Sequence, residues 1–244
     1  MSKLSKKIGA AGRAEPAPFG FASAAARPPK DSLLCGVRLG DLAAAAGAAS
    51  KGADFVILEN VARSKVKGVA RVDASVGLAG DFDAEDLAAL VKAGVDFVVL
   101  PGTGAGAAPL ADESVGRVMT LDGDLDDTHL RLLSDLGLDA LVIAAPDSPL
   151  TVERLLSVRR LSSLTRTPLL ANANPDVDEK SLELLRDSGV AGIVLAEAGK
   201  LTTLKKRISA LPPRGRRKEG HSDAIIPAQA TAPHDHDEDD DYDD

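Results

Sequence analysis

Residues 87–100 read Leu87-Ala-Ala-Leu-Val-Lys-Ala-Gly94-Val-Asp-Phe-Val-Val-Leu100, and this short stretch decides the fold. Apolar residues three and four apart predict an amphipathic helix, and Gly94 is the residue type that commonly ends a helix in a left-handed conformation. The apolar run after Gly94 does not alternate with polar residues, which is typical of a strand buried on both faces. The stretch therefore predicts a helix that leads into a strand of a parallel sheet.

The same helix-glycine-strand pattern occurs three more times along the chain. The further copies span residues 45–58, 130–143 and 182–195. Between the copies lie other apolar segments that we predict to be strands, at residues 33–38, 70–75, 117–121 and 168–171. Strands that alternate with helices predict a parallel sheet, and a repeated βα unit favours its closure into a barrel.

We therefore predict a compact α/β fold, a (β/α)₈ TIM-type barrel over residues 31–211. Some of its helices are expected to be shortened, because residues 60–69 and 101–116 show little helical pattern. An open doubly wound sheet is the alternative. Residues 1–30, rich in Ala, Pro, Gly and Lys, are predicted to be a flexible basic arm, and residues 212–244 a disordered acidic tail.

Composition and charge narrow the classes of partner and location. The net charge of −8 argues against a nucleic-acid partner held by phosphate contacts. No apolar run approaches the length that spans a membrane and no signal peptide is recognised, so we expect a cytoplasmic protein without a membrane partner. Cys35 is the single cysteine, and its apolar neighbours predict a buried strand residue rather than a nucleophile.

The segment from Thr167-Pro-Leu-Leu-Ala-Asn-Ala-Asn174 through Gly189-Val-Ala-Gly-Ile-Val-Leu195 resembles the last two βα units of the phosphate-binding TIM-barrel superfamily. That group includes thiamine phosphate synthase, indole glycerol phosphate synthase and flavin-dependent nitronate monooxygenases. The resemblance implies a phosphate site after the seventh and eighth strands, where such families carry glycine turns. This chain has Asn172-Ala-Asn174 and Ala196-Glu-Ala-Gly199 at those places, so Gly199 alone could let a phosphate approach the backbone.

Candidate site residues follow the strands, because the site of such a barrel lies at the carboxyl ends of its strands. Glu59 and Glu197 follow the strands of two copies of the pattern, one and two residues after their ends, and Arg38 ends the strand expected between them. One interpretation is an arginine that binds a substrate carboxylate or phosphate, flanked by carboxylates that transfer protons. The alternative is a Glu–Arg–Glu ion cluster that holds the rim of the barrel together.

Asp73 lies inside the predicted strand at residues 70–75, where a carboxylate needs a partner or a function. It is a candidate general base or metal ligand at the mouth, or the partner of a nearby arginine. Asp122 and Asp124 could help to hold Mg²⁺, but a turn and a helix cap are the favoured interpretation, so no metal site is predicted. Four further residues are candidate substrate-binding residues: Asn172, Asn174, Gly199 and Lys200.

Two functions follow from these candidates. The first is an enzyme that acts on a small anionic metabolite, phosphorylated or not, with Glu59, Asp73 and Glu197 in proton transfer or carbon–carbon chemistry. The second is a non-catalytic barrel that binds a ligand or a partner protein, favoured by the lack of His at the strand ends and of Lys inside the strands. The sequence identifies no cofactor, with flavin and Mg²⁺ both untested, and it leaves a homodimer open because shortened helices would uncover strand backs.

Overall fold

The computed structural model describes residues 1–11, 32–144 and 149–212. Eight parallel strands pair in chain order and close into a barrel, with the eighth strand beside the first. This confirms the predicted barrel and not the open sheet, while the predicted acidic tail lies almost wholly outside the described residues. The strands are β1 (Leu34–Leu39), β2 (Phe55–Leu58), β3 (Ser75–Ala79), β4 (Phe97–Leu100), β5 (Gly116–Leu121), β6 (Ala140–Ile143), β7 (Leu169–Asn172) and β8 (Val190–Leu195).

Helices follow most strands in the described part of the chain. After β2 and β4, short 3₁₀ turns replace the α-helix, at Arg63–Lys65, Val69–Arg71 and Ala108–Ala111, which confirms the predicted shortening. Buried residues of these connections, such as Val66 and Val115, cover the strands there. The α-helices are α1 (Lys3–Ala11), α2 (Ala43–Ser50), α3 (Ala84–Ala93), α4 (Asp127–Leu133), α5 (Val152–Thr165), α6 (Glu179–Asp187) and α7 (Leu201–Ala210).

Three helices begin at capping aspartates, and the cap of α4 is Asp126 and not Asp124, which the sequence pattern favoured. Asp83, Asp126 and Asp178 precede α3, α4 and α6, and each carboxylate accepts the backbone N–H three residues later, at 2.9, 2.8 and 2.7 Å. These hydrogen bonds lower the pKa of all three carboxyl groups, because they favour the ionised form. At the other end of α3, Gly94 has φ 92°, and a Cβ on it would lie 2.8 Å from the Cβ of Ala70.

The inside of the barrel is filled in layers. In a closed eight-stranded barrel the pairing register slips by about one residue per strand, so alternate strands place inward side chains at the same height. Following the observed pairing, one complete layer comes from the even strands and is fully aliphatic. Its four residues belong to one buried cluster: Ile57, Val99, Val142 and Val194.

Two phenylalanines interlock with two glycines below that layer. The ring of Phe55 lies against Gly36 of the neighbouring strand, and the ring of Phe97 lies in the same way against Gly77. The two rings meet edge to face, with their centroids 6.4 Å apart. A Cβ on either glycine would overlap the facing ring, so glycine at these positions is required by packing.

The amino-terminal segment closes the barrel at the end opposite the mouth, which corrects the predicted flexible arm for its first eleven residues. Leu4 and Ile8 of α1 are buried in the same cluster as the aliphatic layer. The backbone N–H groups of Lys3 and Leu4 donate to the carboxylate of Asp96, at 2.7 and 2.9 Å. The physical reason is the spacing of Leu4 and Ile8, which gives a short amphipathic helix an apolar stripe. The remainder of the predicted arm, residues 12–30, lies outside the described residues.

The prediction of the third strand is also wrong in position. The strand is Ser75–Ala79, whereas residues 70–74 form part of a 3₁₀ turn and the bend that follows. A parallel strand can begin only after the chain has returned along the whole barrel, and residues 59–74 make that return. Asp73 therefore precedes its strand and is exposed at the amino end.

Two remaining predictions can be compared with the described residues. Cys35 is buried in β1, as predicted. Within the ranges that the structure describes, no helix combines the length and the apolar character needed to cross a bilayer.

Candidate functional site

A polar layer lies directly above the aliphatic layer, at the carboxyl ends of the odd strands. The same register argument puts Arg38, Ala79, Thr120 and Asn172 at one height, and we call these four residues the mouth layer. Their strand neighbours Val37, Met119 and Ala171 belong to the buried cluster between the strands and the surrounding helices, which we call the outer cluster. Because side chains alternate along a strand, the mouth layer faces inward. The barrel mouth thus has an aliphatic floor and three polar side chains that converge on its axis.

Arg38 contacts the carboxylate of Glu59 within this mouth. Nη1 of Arg38 donates to Oε1 of Glu59, which follows β2 and stands just above the mouth layer. The side chains are 23% and 35% exposed, so the pair is partly screened by solvent. The predicted proximity of Arg38 and Glu59 is confirmed, whereas their roles remain predictions.

The mouth layer has hydrogen-bonding capacity that the described residues leave unused. Nε of Arg38 and Oδ1 of Asn172 are buried, and neither has a hydrogen-bond partner there. In the same part of the chain, Thr120 forms no side-chain hydrogen bond, and Arg38 uses only Nη1. A buried polar atom without a partner costs about 1–3 kcal/mol, so a ligand that supplied the partners would recover part of that free energy.

Glu197 does not join Arg38 in the described structure. Val194 faces the interior and Leu195 the outer cluster, so the alternation turns Ala196 inward and Glu197 outward. Glu197 is exposed, and it forms no ion pair with any residue that the structure describes. Of the two contacts in the predicted Glu–Arg–Glu cluster, the described structure therefore contains only the one between Arg38 and Glu59.

The other predicted binding residues gather on the outer rim around Asp176. Nζ of Lys200 lies 2.7 Å from Oδ1 of Asp176, and the hydrogen bond from Lys200 lowers the pKa of that carboxyl group. Asn174 is exposed, and its Oδ1 accepts the backbone N–H of Asp176 at 3.1 Å. Gly199 is exposed, and no atom of the described residues lies within 4 Å of the position that a Cβ would take. The structure thus brings Asn172 to Arg38, but it places these three residues beside a carboxylate.

The acidic residues of the rim do not form a metal site in the described ranges, where no group of three His, Cys, Asp or Glu is suitably placed. Asp122 is exposed, and Asp124 pairs with Arg160 at 3.0 Å. Asp73 lies at the opposite end of the barrel, so its predicted role at the mouth is wrong.

One loop on the rim is anchored through Asp81, which follows β3. Its carboxylate accepts the backbone N–H of Gly106 at 2.9 Å, and its carbonyl accepts from Arg63 at 2.8 Å. Arg63 also lies over the ring of Phe82, 5.6 Å from its centroid. The connections after β2, β3 and β4 are therefore tied together beside the mouth.

Sequence reasoning missed Thr120 and a set of aspartates at the amino end. Asp54, Asp96 and Asp139 precede β2, β4 and β6 at the same place in the repeat. Oδ2 of Asp54 accepts from the backbone of Cys35 at 2.8 Å, and Oδ2 of Asp139 accepts from Ser2 at 2.9 Å. The available signal was an aspartate two residues after the helix-ending glycine in three of the four copies of the pattern. These carboxylates accept hydrogen bonds from neighbouring strands and from the α1 segment, so their role is structural.

An open groove of about 430 Å³ lies on the outside of the barrel between α2 and α7. Lys51, Lys205 and Lys206 line it, and Nζ of Lys205 lies 2.7 Å from Asp54 at the amino end. The groove is therefore remote from the mouth layer and is a separate feature of the surface.

Comparisons with known proteins support the fold alone. No protein-family model and no curated protein sequence matches the chain. Among solved structures, 3-keto-L-gulonate-6-phosphate decarboxylase from Vibrio cholerae aligns with a TM-score of 0.59 and 16% identity, over 74% of this chain and 99% of that one. The tryptophan synthase α-subunit from Pyrococcus furiosus, a mutant in that structure, aligns with a TM-score of 0.56 and 13% identity, over 73% of this chain and 96% of that one.

Thiamine phosphate pyrophosphorylase from Pyrococcus furiosus gives a TM-score of 0.53 and 14% identity, over 72% of this chain and 95% of that one. Similarity at this level of identity concerns architecture and does not transfer an activity. The chain therefore shares the closed eight-stranded barrel fold of these proteins, which confirms the resemblance seen in its sequence at the level of fold.

Proposed function

We propose that this protein is a barrel enzyme that binds a small anionic metabolite at its mouth and transfers a proton through Glu59. The observation that carries the proposal is the Arg38–Glu59 pair inside the mouth, beside buried polar atoms that find no hydrogen-bond partner among the described residues. Arg38 binds the anion, Asn172 and Thr120 orient it, and the aliphatic floor receives its carbon chain. Asp73 has no part in this scheme because it lies at the amino end of the barrel, and Glu197 has none because its side chain faces outward.

The proposed chemistry needs one carboxylate and one cation. The C–H bond next to a ligand carboxylate breaks, its proton goes to the carboxylate of Glu59, and its electron pair moves into the ligand carboxylate. Arg38 stabilises the negative charge that develops on the ligand carboxylate. Preorganised electrostatic stabilisation of this kind usually lowers the activation free energy more than any other single effect. Return of the proton to the same or another atom completes the exchange or isomerisation.

The names of two structural neighbours support an anionic ligand. 3-Keto-L-gulonate-6-phosphate decarboxylase and thiamine phosphate pyrophosphorylase are both named for phosphorylated compounds. Ligands of such barrels bind at the carboxyl ends of the strands, which is where the mouth layer lies.

Solvent exchange tests the proposal without knowledge of the full reaction. The protein is incubated in D₂O with a mixture of small carboxylates and phosphate esters, and ¹H NMR follows the loss of individual C–H signals. We expect one signal to disappear with the wild-type protein and to persist with Glu59→Gln. Glu85→Gln, at an exposed position of α3, is the matched control and should exchange as the wild type does.

A non-catalytic ligand-binding barrel is the second candidate. It is favoured because Glu59 is the one carboxylate that contacts the mouth layer among the described residues, and no histidine or lysine of that part of the chain joins it. Binding of an anion that depends on Arg38, with no proton exchange in the wild-type protein, would select this candidate.

A further inference from the structure

We propose that the ligand of the mouth is a small hydroxycarboxylate, with a carboxylate and a neighbouring hydroxyl group, and not a phosphate monoester. The inference rests on the proposed anion-binding function and names its substrate class. It departs from the phosphorylated compounds for which barrels of similar fold are named.

The free edge of Arg38 fits a carboxylate. Glu59 occupies Nη1, while Nε and Nη2 donate no hydrogen bond within the described residues. Nε and Nη2 form one flat edge of the guanidinium, and two carboxylate oxygens can accept from that edge side by side. A carboxylate bound there would satisfy the buried Nε and leave the contact with Glu59 in place.

The two other polar residues of the mouth layer favour a ligand with a hydroxyl group. Oδ1 of Asn172 is a buried acceptor without a partner in the described part of the chain, so it requires a donor from the ligand. Thr120 lies in the same layer and can donate or accept through its own hydroxyl. A ligand hydroxyl serves both residues at once, because it donates to Asn172 and accepts from Thr120, whereas a simple carboxylate leaves Asn172 unsatisfied.

The charges around the mouth disfavour a phosphate dianion. Arg38 is already neutralised by Glu59, and Lys200 on the rim is neutralised by Asp176 at 2.7 Å. At the carboxyl end of β7, the side chains of Asn172 and Ala173 stand where a glycine turn would let a phosphate approach the backbone. A second negative charge beside the Glu59 carboxylate would raise the electrostatic cost, whereas a carboxylate brings only one.

A set of four short probes tests the inference with the full-length protein by isothermal titration calorimetry. Lactate and propionate differ by one hydroxyl, and glycerate and glycerol 3-phosphate share a three-carbon skeleton but differ in the acid. We expect lactate to bind about tenfold more tightly than propionate, since one buried acceptor gains its donor. We also expect glycerate to bind more tightly than glycerol 3-phosphate.

Two variants assign the difference to the mouth layer. Asn172→Leu should reduce the affinity for lactate to that for propionate and leave propionate binding unchanged, while Arg38→Lys should weaken both. The lactate and propionate comparison needs only the wild-type protein, so it stands even when the leucine variant fails to fold.

Each contrary outcome has its own meaning. Equal binding of lactate and propionate, or Arg38-dependent binding of glycerol 3-phosphate at least as tight as that of glycerate, overturns the hydroxycarboxylate inference alone. If no probe binds in a manner that depends on Arg38, the proposed anion-binding function is wrong as well.

Discussion

Arg38 on β1 contacts Glu59 after β2, and this contact joins two neighbouring strands at the barrel mouth. Because both side chains are partly exposed, the pair should contribute little to folding. We expect Glu59→Gln to lower the free energy of unfolding by less than about 1 kcal/mol. Urea denaturation measures this loss against Glu85→Gln. A loss of about 3 kcal/mol or more would favour the ion-cluster interpretation, in which the pair holds the rim together.

The helix α1 should be an essential part of the core. Leu4 is fully buried inside the amino end of the barrel, so Leu4→Ala removes apolar contacts that nothing else replaces. We expect a loss of about 2–5 kcal/mol in the free energy of unfolding. Lys6→Ala, at an exposed position of the same helix, should change it little. Equal stability of the two variants in denaturant titrations would show that α1 does not close the barrel.

The interlocked glycine and phenylalanine pairs should show a compensating effect. Gly36→Ala places a methyl group against the ring of Phe55, and we expect a destabilisation of about 1–3 kcal/mol or more. Adding Phe55→Leu to that variant should restore part of the loss, because the smaller side chain vacates the contact. A double-mutant cycle by thermal or chemical denaturation measures this coupling, and strictly additive effects would argue against the interlock.

Acid stability should depend on the three capping aspartates. The pKa values of Asp83, Asp126 and Asp178 lie below the ordinary value of 3.8 in the folded protein, because backbone N–H groups bind the carboxylates. Their stabilisation is therefore complete above the unfolded pKa and is lost as the pH falls through the lowered folded values.

Asparagine caps helices about as well as aspartate but does not titrate. The triple variant with Asn at the three caps should consequently lose less stability than the wild type between about pH 5 and about pH 2.5. Denaturant titrations over this pH range provide the comparison. Parallel stability profiles for the two proteins would mean that the caps contribute nothing to acid sensitivity.

The barrel could be predicted from sequence because its decisive features are local. The pattern around Gly94 recurs, and strand order alone is enough to place Arg38 beside Glu59. Strand boundaries were harder to predict: Val69–Arg71 has the composition of a strand but forms a turn. Because the strand was predicted one segment too early, Asp73 was expected at the mouth, whereas it lies at the opposite end of the barrel.

Which side chains face the barrel axis at the mouth could not be predicted from the sequence alone. Whether Glu197 faces the axis depends on a shift of a single residue, since side chains alternate along a strand. The gathering of Thr120 and Asn172 with Arg38 depends on the stagger of the whole barrel, which is a property of all eight strands together. α1 was missed because its apolar stripe has only Leu4 and Ile8, too few residues to distinguish a helix from a tail.

The side-chain ¹H–¹⁵N spectrum of the arginines tests the binding of a ligand by Arg38 most directly. The Nε–H signal of Arg38 is identified as the one that Arg38→Lys removes, and glycerate and glycerol 3-phosphate are then added separately to the full-length protein. The account predicts that glycerate shifts this signal in a saturable manner, as the buried Nε gains an acceptor. A signal that neither anion moves would contradict it.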